Sequence, residues 1–156
     1  MLRTDIPGFG SLRIEHLVLD YNGTLALDGR MLPGIRPRLR RLARFLEVHV
    51  VTADTFGTVR RALHRLPCRI AVLNVRRQDC AKAEYVRKLG ADRTACIGNG
   101  RNDRLMLRAA RLGIAVIQTE SAAAAAIMAS NLVSPSIADA LDLFAHPLRL
   151  TAALRA

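Results

Sequence analysis

Ile14-Glu15-His16-Leu17-Val18-Leu19-Asp20-Tyr21-Asn22-Gly23-Thr24 is an apolar run that ends in a carboxylate and breaks at an Asn-Gly turn. A short apolar run bounded by a turn signal is the pattern of a strand covered on both faces, as in a parallel sheet. The same pattern returns at residues 47–52 (EVHVVT), where the run ends in Thr52 and continues into Ala53 and Asp54. Residues 68–73, 94–97 and 114–117 predict a third, fourth and fifth strand, and 131–133 a short last one. Helical patterns lie between them. Pro33 opens a helix on which Ile35, Leu39, Leu42 and Leu46 recur at helical spacing. Further helices are predicted over 55–66, over 77–89 with a stop at Gly90, over 102–112 with a stop at Gly113, over the alanine-rich 122–129, and from Ser136 onward. The alternation predicts an α/β fold: a three-layer, Rossmann-like parallel sheet with helices on both faces. Residues 25–32, built around Asp28-Gly29, predict a small β-hairpin flap beside the first strand. No internal repeat or long linker interrupts residues 1–156, which read as a single domain.

Composition narrows the function classes. Half of the 156 residues are hydrophobic, Trp is absent and aromatics make up 4%, so the core is aliphatic. No run approaches the roughly 18 apolar residues of a membrane span, and no signal peptide is evident, so no membrane partner is expected. Cys68, Cys80 and Cys96 form neither a CxxC pair nor an even set, which suits a reduced, cytoplasmic setting. His16, His49, His64 and His146 show no metal-ligand spacing along the chain, which argues against zinc. The net charge of +11 invites a nucleic-acid reading. All but two of the 24 basic residues are arginine, however, which points to coding bias, and the aromatics needed for base stacking are scarce. A basic nucleic-acid-binding protein is therefore the weakest reading.

Three polar clusters fall at predicted C-terminal strand ends, where open parallel sheets hold their ligands. They are Asp20 to Thr24, Thr52 to Asp54, and Gly98-Asn99-Gly100-Arg101-Asn102-Asp103. Singly, each is an ordinary turn or helix N-cap. Together they converge on one rim of one sheet.

In these residues the chain resembles the haloacid dehalogenase superfamily. Asp20-Tyr21-Asn22-Gly23-Thr24 is similar to its first motif, D-x-D-G-T; Thr52 to its second; Lys82 to its third; and residues 98–103 to its fourth, G-D-G-x-N-D. Thr52-Ala53-Asp54 and the run from Gly98 to Val116 further resemble the phosphorylation domains of P-type ATPases. The resemblance implies Mg²⁺-dependent phosphoryl transfer through an aspartyl-phosphate on Asp20, with Asn22, Thr52 and Lys82 as its catalytic neighbours. It places Asp20, the Asn22 carbonyl, Asn99 and Asp103 around the metal. Gly23, Thr24, Ala53, Asp54, Gly100 and Asn102 are placed around the phosphate.

Two departures from the family pattern bear on rate. Asn22 stands where its phosphatases carry a second aspartate that protonates the leaving group and activates water, and Asn99 replaces the first acid of the fourth motif. General acid–base catalysis contributes about 10²–10⁴ in rate, so a slow phosphatase or phosphotransferase is expected. A catalytically weak binding or regulatory protein on the same fold is the alternative. Asp20 and Thr52 are 32 residues apart and Thr52 and Lys82 are 30 apart, too close for a cap domain in either interval. Capless members of the superfamily take large phosphorylated substrates or close their sites as homo-oligomers, and either is expected here.

Overall fold

The computed structural model describes residues 1–53, 58–73 and 76–156. The chain opens with an antiparallel hairpin, β1 (Leu2–Ile6) and β2 (Gly10–Ile14). Six strands then make one parallel sheet: β3 (His16–Asp20), β6 (Glu47–Thr52), β7 (Cys68–Val72), β8 (Thr94–Gly98), β9 (Leu112–Val116) and β10 (Leu132–Ser134). Their spatial order is β10-β9-β8-β3-β6-β7. The chain thus builds to one side of β3 with β6 and β7, then returns and builds to the other with β8, β9 and β10. That reversal opens a crevice beside the C-terminal end of β3, the place where such sheets bind ligands.

Between β3 and β6 lies the predicted flap, a two-strand hairpin of β4 (Ala26–Leu27) and β5 (Arg30–Met31). Asp28 and Gly29 at its tip have φ of 50° and 75°, as a tight hairpin turn of matching twist requires. The helix after it, α1 (Ile35–Leu42), begins two residues later than Pro33 suggests, because Pro33 and Gly34 form a turn. Pro37 falls within the first helical turn, where its missing N–H leaves no bond unmade. The remaining helices are α2 (Thr58–Ala62), α3 (Gln78–Leu89), α4 (Arg104–Ala109), α5 (Ala124–Ile127), α6 (Ile137–Ala145) and α7 (Pro147–Leu154).

The central strands β3, β6, β8 and β9 are covered on both faces, as their apolar runs demand, while the edge strands β7 and β10 are partly exposed. Leu17 and Leu19 of β3 pack with Ile35, Leu39 and Leu42 of α1 and with Leu141 and Phe144 of α6. Val18, Val51 and Cys96 face the opposite way, against Val86 of α3 and Met106 and Leu107 of α4. Arg38 of α1 donates from Nε and Nη2 to the two carboxylate oxygens of Asp142 on α6, at 3.0 and 2.9 Å. No described helix is long and apolar enough to cross a membrane.

The sequence reading differs from the structure in several places. The helix expected over 102–112 runs only from Arg104 to Ala109, and Gly113, expected to stop it, lies inside β9, which starts at Leu112. Ile14 belongs to the first hairpin, and the sheet strand starts at His16 after a one-residue break. The hairpin itself alternates buried Leu2, Ile6, Leu12 and Ile14 with polar residues, a period-two signal set among charged residues and glycines. The terminal helix breaks at His146, where Pro147 starts a second one.

Candidate active site

The site is built at the C-terminal ends of β3, β6, β8 and β9, with α3 packed over them. Asp20 ends β3 and is 7% exposed. The chain behind it folds into a tight loop in which the Tyr21 carbonyl accepts from the amides of Thr24, Leu25 and Ala26. This turn places the Thr24 hydroxyl 3.3 Å from Asp20 Oδ2 and 3.3 Å from Asn99 Oδ1. Gly23, at φ +78°, is required here: a Cβ would lie 2.5 Å from Asn99 Nδ2 and 2.8 Å from Glu120 Oε2.

Lys82 lies on α3, one turn after Gln78, and it is 1% exposed. Its ammonium donates to Asp20 Oδ1 and to Asp103 Oδ1, both at 2.6 Å. The other oxygen of Asp103, Oδ2, accepts from the backbone amides of Asn99 at 3.0 Å and Gly100 at 2.8 Å. Gly98 makes that arrangement possible, since a Cβ there would lie 2.6 Å from the Asp103 carboxyl carbon. Two buried carboxylates therefore share one ammonium. Burial, then the charge of Asp103, raise the Asp20 pKa to about 7 against the opposing pull of Lys82. Burial works against the charged form of Lys82, but the two carboxylates outweigh it and hold its pKa above the ordinary lysine value.

Asp20, Asn22, Thr52, Ala53, Lys82, Asn99, Gly100 and Asn102 line one cleft of about 400 Å³. Thr24 and Asp103 lie fully buried behind it, and Gly23 lies in the turn at its edge. Asp54 lies outside the described residues. The structure thus assembles the residues singled out from the sequence, apart from that one position. It also adds three. Gln78 accepts the Asn102 side-chain amide at 2.8 Å, and Glu120 contributes an exposed carboxylate to the cleft wall. Gln118 donates from Nε2 to the Gly23 and Thr24 carbonyls, at 2.9 and 2.7 Å, and its Oε1 accepts from Ile137 N at 2.9 Å. The segment Ile117-Gln118-Thr119-Glu120 follows β9 just as the other polar clusters follow their strands, so the same strand-end rule locates it.

The donor set fits a small hard cation. Asp20, Asp103, the Asn22 carbonyl and the Asn99 amide offer oxygens of the kind that bind Mg²⁺. Two carboxylates, Asp20 and Asp103, face a single ammonium, that of Lys82, so the charges of the described side chains leave one negative charge over for a cation.

No family model matches the sequence. The chain is 49% identical over 59 residues to the uncharacterized protein MJ0073 of Methanocaldococcus jannaschii, a match covering 38% of this chain and 63% of that protein. It is 41% identical over 39 residues to MJ0072 of the same organism, covering 25% of this chain and 89% of that protein. Among solved structures, 3-deoxy-D-manno-octulosonate 8-phosphate phosphatase from Moraxella catarrhalis, in complex with magnesium, phosphate and KDO, superposes with a TM-score of 0.72. Its identity is 17%, with 90% of each chain covered, and hydrolases of the haloacid dehalogenase superfamily share the architecture. The chain belongs to one family with the MJ0072 protein of M. jannaschii, and it carries the haloacid dehalogenase fold.

Proposed function

We propose that the protein is a Mg²⁺-dependent phosphohydrolase or phosphotransferase that works through an aspartyl-phosphate on Asp20, slowly because Asn22 takes the place of a general acid–base. The observation that carries this reading is the Lys82 ammonium bridging Asp20 and Asp103, 2.6 Å from each, at the crevice beside β3. An oxygen of Asp20 attacks the phosphorus, the bond to the leaving oxygen breaks, and an acyl phosphate forms. Water then attacks that phosphorus, releasing inorganic phosphate and restoring the carboxylate. Thr52 donates to the phosphoryl oxygens, Lys82 balances their charge, and backbone at Gly23, Ala53 and Gly100 surrounds them. Asn102, held by Gln78, orients the far side of the cleft. Bound Mg²⁺, held by Asp20, Asp103, Asn99 and the Asn22 carbonyl, would neutralise phosphoryl charge.

Asn22 is exposed in the cleft and has no titrating proton, so the leaving oxygen takes its proton from solvent. Phospho-Asp20 then outlives that of an enzyme with an acid at this position, which is the link to P-type ATPase phosphorylation domains. Among the described residues the intervals flanking Thr52 hold α1, α2 and short strands, with the hairpin as cover over an open cleft suited to a large phosphorylated substrate or a homo-oligomeric neighbour. Residues 1–156 are read as one such domain, acting in the cytoplasm without nucleic acid. A weak binding or regulatory role on the same fold is the competing reading, favoured by Asn22 and Asn99 themselves.

A phosphatase assay on an activated aryl phosphate with Mg²⁺, alongside beryllium fluoride trapping, separates the two. Turnover that is lost in Asp20→Asn, with stoichiometric trapping on the wild type, supports catalysis. Turnover that survives Asp20→Asn overturns it.

A further inference from the structure

At the opposite end of β3 from Asp20, the parallel register places His16 beside Glu47, and His49 one pleat further along β6 on the same face. His16 is 8% exposed and His49 fully buried, while the Glu47 side chain is half exposed. The donor atoms converge. His16 Nδ1 lies 3.2 Å from His49 Nε2, and Glu47 Oε2 lies 3.7 Å from the first and 3.8 Å from the second. The point equidistant from these three atoms in their common plane is about 2.1 Å from each, within the range of zinc bonds to imidazole and carboxylate ligands.

We propose that His16, His49 and Glu47 form a Zn²⁺ site at the N-terminal rim of the sheet, with a fourth position open to solvent past Glu47. The surroundings match what such a site needs. His49 Nδ1 pairs with the Tyr85 hydroxyl at 2.9 Å, which fixes the ring and leaves Nε2 facing the centre. Glu47 Oε2 faces both of the imidazole nitrogens that face each other. Two neutral imidazoles and one carboxylate carry a single negative charge, so a divalent cation leaves the cluster at +1. The Arg69 guanidinium, 3.4 Å from Glu47 Oε2, partners that carboxylate when metal is absent, and at 72% exposure it is free to swing into solvent. The linear spacing of the histidines conceals the site because it is made by register between strands 33 residues apart. The site stands independently of the chemistry at Asp20.

The test is Zn²⁺ titration of the full, EDTA-stripped chain in saturating Mg²⁺, read by calorimetry and by metal analysis after dialysis. Co²⁺ serves as a spectroscopic stand-in. One Zn²⁺ per chain is expected, with four-coordinate Co²⁺ ligand-field bands. Glu47→Gln, a change at a half-exposed side chain, should weaken binding at least tenfold, His16→Gln should abolish it, and Tyr85→Phe should weaken it about tenfold. Asp20→Asn should leave it unchanged. The proposal is overturned if wild-type protein takes up no Zn²⁺. It is equally overturned if Glu47→Gln binds Zn²⁺ as the wild type does, or if Asp20→Asn removes the binding.

Discussion

Lys82 Nζ stands 2.6 Å from Asp20 Oδ1, a fully enclosed ammonium set against the carboxylate that ends the central strand. One of only two lysines in a chain that otherwise uses arginine is here the cation that lets two carboxylates be buried together. Lys82→Ala would leave Asp20 and Asp103 facing each other unpaired, a change that costs about 3–5 kcal/mol in buried pairs. The midpoint of denaturant unfolding in Mg²⁺-free buffer should fall accordingly, and adding Mg²⁺ should recover part of the loss. Lys82→Arg should not restore activity, because a planar fork cannot replace a compact ammonium between two oxygens.

Asn22→Asp tests the missing acid–base group. Turnover on an activated aryl phosphate should rise about 10²-fold, at the low end of what general acid–base catalysis contributes. Rapid-quench measurement should show the phospho-enzyme decaying faster in the variant. An unchanged decay would mean that water activation does not limit the wild type.

Gly23→Ala should be damaging although it adds a single methyl. Its Cβ meets the Asn99 amide at 2.5 Å, and the φ of +78° is strained for any side chain. A loss of about 1–3 kcal/mol in unfolding free energy is expected. Turnover should fall beyond the unfolded fraction, because Asn99 is the group displaced.

The Arg38–Asp142 pair supplies a pH-dependent term. Its hydrogen bonds hold the Asp142 carboxyl below the ordinary carboxylate pKa of 3.8. A depressed carboxylate pKa adds stability that is present above the unfolded value and is lost as pH falls through the folded one. Asp142→Asn should therefore cost about 1 kcal/mol at neutral pH, discounted for the partial exposure of both side chains. The gap between the two melting curves should close below pH 3.8.

Much of this arrangement was legible in the sequence because one rule repeats: apolar strand, polar strand-end, helix. Asp20, Thr52 and residues 98–103 obey it, and the sheet order brings them together. Lys82 was legible by resemblance, but its role as a shared counter-ion depends on α3 packing over the strand ends. Gln118 and Glu120 follow the same rule after β9, but no turn dipeptide or family motif marks them in the sequence. The first hairpin was missed because each strand buries only two apolar residues, Leu2 and Ile6 in one and Leu12 and Ile14 in the other, among charged residues and glycines. The His16–His49 approach is invisible to any linear spacing, since it arises from strand register.

Gln118 gives the molecule a mechanical link. One amide holds the loop behind Asp20 by two carbonyls, and the same side chain takes the first amide of α6. That helix is tied in turn to α1 through Asp142 and Arg38. The posture of the loop behind Asp20 is thus geared to two helices on one face of the sheet. Substitutions there should alter catalytic rate without touching the cleft, and a partner that grips α1 or α6 would hold a lever on Asp20.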